Sequence, residues 1–370
     1  MELKEYRFDE VTINFDKKRV PLSGAQREKR QGNFRYYGAQ GVIDHIDDFI
    51  FDGTYLLIAE DGENLKSKKQ NIAQVVEGQF WVNNHAHIVK GNELCNTRYL
   101  CYLLNSMDLS GYVTGSAQPK LSQANLNAVT LFLPSITVQE RIVECLYLFD
   151  KKIAVNQKIN DNLAELLQAV YQERFGDVSA ATELGTLSDI CSYSRDRVAV
   201  SELNASTYFS TENMLPGKAG ATEAASLPTI PQTTACHKGD TLISNIRPYF
   251  KKIVYCEDRC GCSTDVLCFT PVQPKYAAYL FSTLYADKFF AFMVAGSKGT
   301  KMPRGDKQQI MAYPAALPSD EELDEFNKLA LPILAQLHSN KAENKRLSAT
   351  RDALLPKLMS GEIDASDIQL

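Results

Sequence analysis

Two stretches of the sequence place hydrophobic residues at alternating spacings of three and four, which is typical of a coiled-coil helix. The first stretch runs from Ile142 to Val170, and its counterpart runs from Phe326 to Leu354, 184 residues later. A Leu-Pro-Ser tripeptide precedes each stretch, at Leu133–Ser135 and at Leu317–Ser319. The repeat predicts two long α-helices, each following a larger unit.

Start and stop signals bound both predicted helices. Gly176 and Pro356 are predicted to end them, and Pro332 is predicted to bend the second one, because proline lacks the backbone N–H that a helix needs. Each start is predicted to be a capping box, a hydroxyl residue followed three positions later by a carboxylate. The two boxes are Thr137 with Glu140, and Ser319 with Glu322.

The apolar seam of each helix is interrupted by two asparagines at matching places. They are Asn156 and Asn160 in the first copy, and Asn340 and Asn344 in the second. One alternative is an amphipathic helix packed on its own domain, with asparagine tolerated near solvent. The other is a coiled coil between the copies, in which the amides pair and reject slipped registers. The matched placement favours an antiparallel coiled coil with the asparagines near its centre.

The long segments before the helices contain short β-rich runs. Those runs are Tyr55–Ala59, Phe80–Asn83, His85–Val89 and Val129–Leu133 in the first segment, and Thr241–Ser244, Lys252–Tyr255 and Val266–Phe269 in the second. Short helices are predicted at Thr97–Leu104 and Pro274–Phe281. The predicted fold class is therefore α+β, with two globular domains at 1–135 and 177–318, each followed by a helical segment, at 136–176 and 319–370.

Composition and charge narrow the class of protein. The chain has 370 residues, a net charge of -5, and an odd number of scattered cysteines, nine, which fits reduced thiols in a cytoplasm. The sequence shows neither a secretory signal at its start nor an apolar run of the roughly 18–20 residues that span a bilayer. Local charge differs from the total: Lys17 to Arg35 holds seven basic residues against one acidic, and Lys288 to Lys307 holds five against one. These basic stretches keep DNA binding open.

Loops of both units combine cationic, amide and aromatic side chains. Arg35 and Gln40 are candidates for contacts with base edges, and Tyr36 and Tyr37 for packing on the DNA backbone. The loop Gly115–Lys120 resembles Gly296–Lys301, and both suit phosphates. The further DNA-binding candidates are Ser116, Gln118, Lys120, Asn245, Arg247, Tyr249, Lys251, Ser297, Lys298, Lys301 and Arg304. Each loop alone fits a solvated turn equally well, but two copies of the set favour DNA.

Familiar catalytic motifs are absent from the sequence. There is no phosphate-binding loop, dinucleotide fingerprint, zinc-protease motif or nucleophile elbow. The cysteines between Cys256 and Cys268 lack the spacing of zinc knuckles, so small buried thiols are expected there. His85 and His87 lack a nearby third ligand, and a packed or groove-facing pair is favoured over a metal site. Neither a catalytic nor a metal-binding residue is predicted.

Taken in order, these segments resemble the specificity subunits of type I restriction-modification systems. The similar segments in the first unit are Arg35–Gly41, Phe51–Gly62 and Gly115–Leu121, followed by Leu133–Ser135 and a helix opening at Gln139–Ile142. In the second unit they are Lys238–Pro248 and Gly261–Asp265. The resemblance covers nearly the whole chain and rests on the order of the segments together with the repeat.

The resemblance implies a protein that recognises DNA while its partners carry out the chemistry. Two target recognition domains would each read half of a split, asymmetric site in double-stranded DNA, held apart by the two helices. Two methylation subunits would dock on the chain and methylate adenine N6, and motor-nuclease subunits would add restriction. S-adenosylmethionine, ATP and Mg²⁺ are expected on those partners, with no cofactor on this chain and no membrane partner.

Three alternatives remain open at this stage. The chain could be a self-contained nuclease or methyltransferase with an unfamiliar site, which turnover by the purified chain would reveal. It could be a coiled-coil scaffold without a DNA function, in which case changes at Arg35 and Arg247 would leave DNA binding unaffected. A specificity subunit of a system that cuts beside its site is the third.

Overall fold

The computed structural model describes residues 2–67, 70–115, 118–177 and 183–365. Their contacts divide the chain into two compact units. The first unit comprises the residues up to Ile153 together with those from Lys345 onwards, and the second comprises Ala154–Asn344. Both unit boundaries fall within long helices, so each unit contains a part of both helices.

The first unit is built on three small sheets. A two-stranded antiparallel sheet pairs β1 with β10, and two four-stranded sheets have the orders β2-β9-β6-β7 and β4-β3-β8-β5. The strands are β1 (Lys4–Arg7), β2 (Thr12–Asn14), β3 (Gln31–Gly38), β4 (Gly41–Ile46), β5 (Phe51–Asp52), β6 (Tyr55–Ala59), β7 (Ala73–Val76), β8 (Gln79–Val82), β9 (Ala86–Gly91) and β10 (Thr130–Leu133). The helices are α1 (Gly24–Glu28), α2 (Asn64–Ser67), α3 (Thr97–Ser106), α4 (Gln123–Asn127) and the first part of α5 (Ile136–Phe175).

The second unit repeats this set of sheets. A two-stranded sheet pairs β11 with β20, and the four-stranded sheets have the orders β12-β19-β16-β17 and β13-β15-β18-β14. The strands are β11 (Leu184–Thr186), β12 (Cys191–Tyr193), β13 (Arg197–Ala199), β14 (Tyr208–Phe209), β15 (Gln232–Cys236), β16 (Thr241–Ser244), β17 (Ile253–Tyr255), β18 (Cys260–Cys262), β19 (Val266–Pro271) and β20 (Pro314–Ala316). The helices are α6 (Leu187–Ile190), α7 (Ala277–Tyr285), α8 (Asp287–Ala295), α9 (Lys307–Met311) and α10 (Asp320–Ser360), which continues beyond this unit.

The predicted fold class is confirmed. Two of the three sheets have the same strand order in both units, with every strand number raised by ten. Helices α5 and α10 run antiparallel, because Asn156 pairs with Asn344 while the later Asn160 pairs with the earlier Asn340. The chain is thus an α+β protein with two units of about the usual domain size that share most of their sheet topology.

Each unit has a core that joins its sheets to the long helices. In the first unit, Ile142 and Leu146 of α5 are fully buried in one apolar cluster with Leu358 of α10. In the second unit, Tyr171 of α5 and Phe326 of α10 are buried together, with ring centroids 6.5 Å apart. The apolar positions of the heptad pattern therefore stabilise both units, in addition to pairing the helices.

The helix ends differ in part from the predicted ones. Thr137 lies inside α5, because the helix already starts at Ile136 and Gln139 N donates to Ser135 O at 3.0 Å. The predicted capping box at Ser319 is confirmed by hydrogen bonds of 2.8 and 3.2 Å with Glu322. The first helix ends at Phe175, directly before Gly176, as predicted.

The predicted stop at Pro356 is wrong, because α10 continues to Ser360. The helix ends instead at Gly361, which has a φ of 78°. Glycine adopts this left-handed conformation without steric cost and so terminates helices readily. Pro356 removes one backbone hydrogen bond from the helix. Burial of Leu358 in the core of the first unit favours continuation of the helix despite this missing bond.

Arg351 departs from the apolar pattern of the seam. Its guanidinium is paired with the carboxylate of Asp150 within the first unit, and Asp150 also accepts a hydrogen bond from Tyr102. Burial acts to lower the pKa of Arg351, but the hydrogen bonds to Asp150 and Asp352 together outweigh it, and the pKa is raised. A charged residue is tolerated at this half-buried position because its partner is supplied by the other helix.

Candidate nucleic-acid interface

A short loop closes against the end of β6 in the first unit. Thr114 and Lys120 exchange two backbone hydrogen bonds, of 2.9 and 2.8 Å. Leu121 N then donates to Glu60 O at 2.8 Å, which fixes the end of the loop to the residue after β6. Gly115 starts the loop with a φ of 84°, a conformation that favours glycine. The side chain of Lys120 is thus held at the surface on a fixed backbone.

The second unit contains the same loop. Lys298 and Arg304 exchange two backbone hydrogen bonds of 2.9 Å, and Gly305 N donates to Asn245 O at 3.3 Å. Gly299 has a φ of 99° and takes the place of Gly115. Adding 184 to Gly115 and Lys120 gives Gly299 and Arg304, the same displacement that relates the long helices.

This correspondence corrects the predicted alignment of the two loops. The similarity of Gly115–Lys120 to Gly296–Lys301 is a chance match, three residues out of register. Gly296 directly follows helix α8. Its φ of -90° is a value that any residue adopts, unlike the positive φ of Gly115. The basic residue that matches Lys120 is therefore Arg304 rather than Lys301.

A buried network of charges supports the loop of the first unit. His87, which is 1% exposed, lies 2.6 Å from Asp16 Oδ2 through Nδ1 and 2.8 Å from Leu121 O through Nε2. Both partners are acceptors only, so both ring nitrogens donate and the ring is an imidazolium. Burial acts to lower the pKa of His87, but the hydrogen bonds to Asp16 and Leu121 outweigh it and the pKa is raised.

Asp16 is the counterpart of that buried cation. Burial acts to raise its pKa, but the hydrogen bonds from His87 and from Ile88 N prevail, and the pKa is lowered. Arg19 lies 3.4 Å from Asp16 and 3.1 Å from Glu60, and Glu60 in turn lies 3.3 Å from Lys120 Nζ. Opposite charges thus alternate from the protein interior to the exposed Lys120.

The second unit supports its loop with surface ion pairs. Arg304 pairs with Asp265 at 3.1 Å, and Asn245 N donates to the Asp265 carbonyl at 2.8 Å. Asp287 forms ion pairs with Lys218 and Lys251, and each lysine Nζ lies 2.8 Å from Asp287 Oδ1. The hydrogen bonds from these two lysines lower the pKa of Asp287 to about 2. The loop segments of this unit are therefore joined by charge as well as by backbone.

Comparison with known proteins shows a family similarity in the first part of the chain. Residues 2–165 match the family described as the type I restriction modification DNA specificity domain. This segment is similar to a type I DNA specificity domain. The resemblance seen in the sequence is thereby confirmed, and the match includes the loop that ends at Lys120.

Two known relatives show the same similarity. The chain is 35% identical over 138 residues to a type I restriction enzyme specificity subunit from Haemophilus influenzae, which is 37% of this chain and 35% of that protein. It is 30% identical over 125 residues to the EcoprrI specificity subunit from Escherichia coli, which is 33% of this chain and 30% of that protein. The aligned part thus spans about a third of the length of each relative.

A solved structure extends the likeness of fold to both units. The crystal structure of the S subunit of a type I restriction-modification system from M. genitalium covers 97% of this chain, with a TM-score of 0.56. The alignment includes 96% of that protein, at 15% sequence identity. The fold with two sheet-containing units and long helices is therefore shared over nearly the whole chain.

In the first unit, two predicted contact residues are not at the surface. Tyr36 is fully buried, and its hydroxyl accepts a hydrogen bond from Leu22 N at 2.8 Å. Tyr37 is 4% exposed and packs against Phe80. Tyr36 and Tyr37 point to opposite faces of β3, and an apolar cluster covers each face, so neither tyrosine can pack on DNA as predicted.

The other candidates of the first unit that the structure describes are at least partly exposed. Arg35 donates to Glu77 O at 2.6 Å, and its guanidinium lies 5.6 Å from the ring of Tyr37. Gln40 is exposed and donates to Asn64 Oδ1 at 3.4 Å. Gln118 and Lys120 are exposed on the loop, whereas Ser116 lies outside the described residues.

In the second unit, the candidates separate into supporting and displayed residues. Asn245 is only 8% exposed, and its main contribution is structural. Its backbone is hydrogen-bonded to Asp265 and to Gly305, which joins three segments of the unit. Ser297 is half-buried and donates to Val294 O at 2.7 Å. Arg247 is half-buried, and Lys251 pairs with Asp287. The exposed candidates are Tyr249, Lys298, Lys301 and Arg304.

Sequence reasoning missed the acidic residues that organise these loops. Glu60 and Asp265 hold Lys120 and Arg304 in the two units, and Asp16 holds His87. The position of Glu60, directly after the buried strand β6, could have identified it. A buried strand ends where the chain reaches the surface, and a carboxylate at that point is placed to pair with a surface cation. Asp16 had no such signal, since it lies 71 residues from His87.

The histidines and cysteines do not form a site of their own. His85 pairs with Asp61 at 2.7 Å, whereas His87 pairs with Asp16. The thiols of Cys236, Cys256, Cys260, Cys262 and Cys268 are buried in one apolar cluster. Across the described ranges, no group of three or more histidine, cysteine or acidic side chains is arranged to hold a metal ion. In the same ranges, no helix is long and apolar enough to cross a membrane.

Proposed function

We propose that this chain is the DNA-specificity subunit of a type I restriction-modification complex. Each unit binds one half of a bipartite, asymmetric target in double-stranded DNA. Partner subunits carry out N6-adenine methylation and, with motor-nuclease subunits, restriction. The chain itself is non-catalytic and acts in the cytoplasm.

The observation that carries the proposal is the duplicated loop. Two units of different sequence build the same turn, start it with a glycine of positive φ and end it with a long cation, Lys120 or Arg304. A rigid backbone that presents a cation suits a phosphate, and phosphate contacts set the position of a protein on DNA. Two such loops in one chain fit a target with two halves.

Different side chains surround the two loops, so the two half-sites differ in sequence. The specificity domain presents Arg35, Gln40 and Gln118, whereas the second unit presents Arg247 and Lys301. Arginine pairs with guanine and glutamine with adenine through two hydrogen bonds each. The Nε of Arg247 is buried and finds no hydrogen-bond partner in the described ranges, while Arg247 as a residue is half-buried.

The helices supply the surface for the methylation subunits. In the second unit, α5 exposes three apolar side chains at spacings of four and seven: Val155, Ile159 and Leu166 are 46, 40 and 51% exposed. An apolar stripe at this spacing is suited to another helix. Two methylation subunits are expected to bind the chain, and motor-nuclease subunits complete the complex. S-adenosylmethionine, ATP and Mg²⁺ bind to these partners, and this chain holds no cofactor.

The proposal is tested by mapping N6-methyladenine in cellular DNA with and without this chain. Deletion is expected to remove methylation from one asymmetric motif with two specific halves, and the wild-type chain is expected to restore it. Gln40→Ala should relax base preference in one half only, and Arg247→Ala in the other half only. Lys238→Ala is the matched control. Lys238 is a 74% exposed cation of the second unit, but it precedes β16, whereas Arg247 follows it.

Three outcomes would contradict the proposal. Unchanged methylation, together with no binding of duplex DNA by the purified chain, would remove the DNA function. A palindromic motif would contradict the assignment of one half to each unit. Turnover of DNA by the purified chain with Mg²⁺ or S-adenosylmethionine alone would instead identify a self-contained enzyme.

A further inference from the structure

An unusual turn follows β16 in the second unit. A single turn of 3-10 helix, Pro248–Phe250, is bounded by Arg247 and Lys251, which both have left-handed backbone with φ of 50° and 51°. Non-glycine residues rarely adopt this conformation. Within the described ranges the third such residue is Lys218, with a φ of 65°, and it is hydrogen-bonded to this same turn. The unfavourable backbone of the second unit is therefore concentrated at one place.

The turn is held rigidly in that conformation. Gly217 N donates to Phe250 O at 2.8 Å, and Lys218 N donates to Lys251 O at 2.9 Å. Arg247 N donates to Pro303 O at 2.8 Å, which connects the turn to the loop that ends at Arg304. Backbone strain persists where the surroundings enforce it, and it is concentrated at functional sites.

The turn displays two aromatic rings to solvent. Tyr249 is 50% exposed and Phe250 is 38% exposed, and their ring centroids lie 4.8 Å apart. The neighbouring Pro248 is buried and anchors the turn. Adjacent large apolar side chains usually turn inward. A strained and anchored turn that turns them outward is suited to a ligand with flat apolar surfaces.

The surroundings of the rings are cationic. Arg247 and Lys251 flank them, and Lys252 Nζ lies 5.9 Å from the Phe250 ring centroid. Lys251 and Lys218 share the single carboxylate of Asp287, so a net positive charge remains. The loop that carries Lys301 and Arg304 is joined to the turn through Pro303. Flat rings framed by cations complement nucleobases framed by phosphates. This charge favours DNA over an apolar protein surface as the occupant.

We propose that Tyr249 and Phe250 form an aromatic wedge that stacks on a partly opened base step in the DNA bound by the second unit. The inference rests on the proposed function and adds a mode of contact to it. Insertion of an apolar side chain unstacks a step and bends the duplex. Steps that unstack easily are then preferred at this place, so the wedge contributes to specificity without hydrogen bonds to base edges.

The test uses the full-length chain and duplexes carrying the target motif found by methylation mapping. The fluorescent base 2-aminopurine replaces each base in turn through the half-site assigned to the second unit by Arg247→Ala. With the wild-type chain, fluorescence is expected to rise at one base step, because unstacking relieves quenching. The double variant Tyr249→Ala, Phe250→Ala is expected to abolish this rise and to weaken binding about 10-fold. Tyr249→Phe is expected to retain both.

Ile230→Ala is the matched control, since Ile230 is a 47% exposed apolar side chain of the same unit. It is expected to leave fluorescence and affinity unchanged, and thermal unfolding checks that all variants fold. Specific binding without a rise at any position, or a rise that the double variant retains, would overturn the wedge alone. Failure of the wild-type chain to bind its motif would overturn the wedge together with the proposed function. Loss of partner-subunit binding with normal DNA binding would assign the rings to a protein and overturn the wedge.

Discussion

Lys120 and Arg304 close the same turn in the two units, and each exchanges two backbone hydrogen bonds with the residue six positions before it. Each side chain is also paired with a carboxylate of its own unit, Lys120 with Glu60 and Arg304 with Asp265. Both cations are therefore placed and oriented in the free chain, before the proposed binding of DNA. A preorganised side chain loses less conformational entropy on binding than a free one.

Removal of either cation is expected to weaken DNA binding without changing sequence preference. Lys120→Ala and Arg304→Ala should each reduce the slope of log K against log salt concentration by about 0.9, the value for one phosphate contact. Fluorescence anisotropy with labelled duplex at several salt concentrations measures this slope. Lys238→Ala should leave the slope at its wild-type value. An unchanged slope in the Lys120 and Arg304 variants would show that these side chains do not contact phosphate.

The imidazolium of His87 is expected to make the first unit less stable at high pH. A raised pKa contributes stability that is fully present below the ordinary histidine value, about 6.5, and is lost as pH rises through the folded-state value. Deprotonation removes one of the two hydrogen bonds that His87 donates. The wild-type chain should therefore lose roughly 1–3 kcal/mol of unfolding free energy between about pH 6 and pH 9, and the His87→Gln variant should not show this loss.

Urea unfolding at the two pH values measures this difference. His85→Gln is the control, because His85 is 53% exposed and pairs with Asp61 at the surface. The His85 variant should keep the pH dependence of the wild-type chain. Equal pH dependence in the His87 variant and the wild type would argue against a buried imidazolium.

The paired asparagines of the second unit are expected to be coupled. Asn340 Nδ2 donates to Asn160 Oδ1 at 2.8 Å, and Asn340 is 5% exposed. Asn160→Leu alone leaves the Asn340 amide without this acceptor and should cost about 1–3 kcal/mol. Adding Asn340→Leu removes the unsatisfied group, so the double variant should be more stable than the sum of the single changes. A double-mutant cycle by urea unfolding tests this, and strict additivity would contradict the pairing.

The two matched glycines are expected to respond differently to alanine. A Cβ on Gly115 would lie 2.3 Å from Gln118 O, whereas the nearest atom to a Cβ on Gly299 is Met302 O at 3.4 Å. Gly299→Ala should cost about 1–2 kcal/mol, the price of left-handed backbone. Gly115→Ala adds a clash with backbone, so it should cost more and also expose the Lys120 amide to hydrogen exchange. Equal costs for both variants would mean that the first loop rearranges without penalty.

Much of the fold was readable from local pattern. The spacing of apolar residues predicted both long helices, and the runs Tyr55–Ala59 and Thr241–Ser244 are strands with those same bounds. The repeat of 184 residues even contained the match of Lys120 with Arg304, which a misleading glycine at position 296 obscured. Periodicity and repeats are properties of neighbouring residues, so a single sequence carries them.

Contacts between distant residues were decided only by the tertiary structure. The alternation in β3 indicates two faces, but only the apolar clusters packed on those two faces bury both Tyr36 and Tyr37. Likewise, Asp16 meets His87 because β2 pairs with β9, which brings the residues near these strands together. The sequence by itself determined the helices, many of the strands and the duplicated plan. Tertiary packing decided which side chains face solvent and which carboxylates hold the cations, because burial and pairing depend on neighbours far away in the chain.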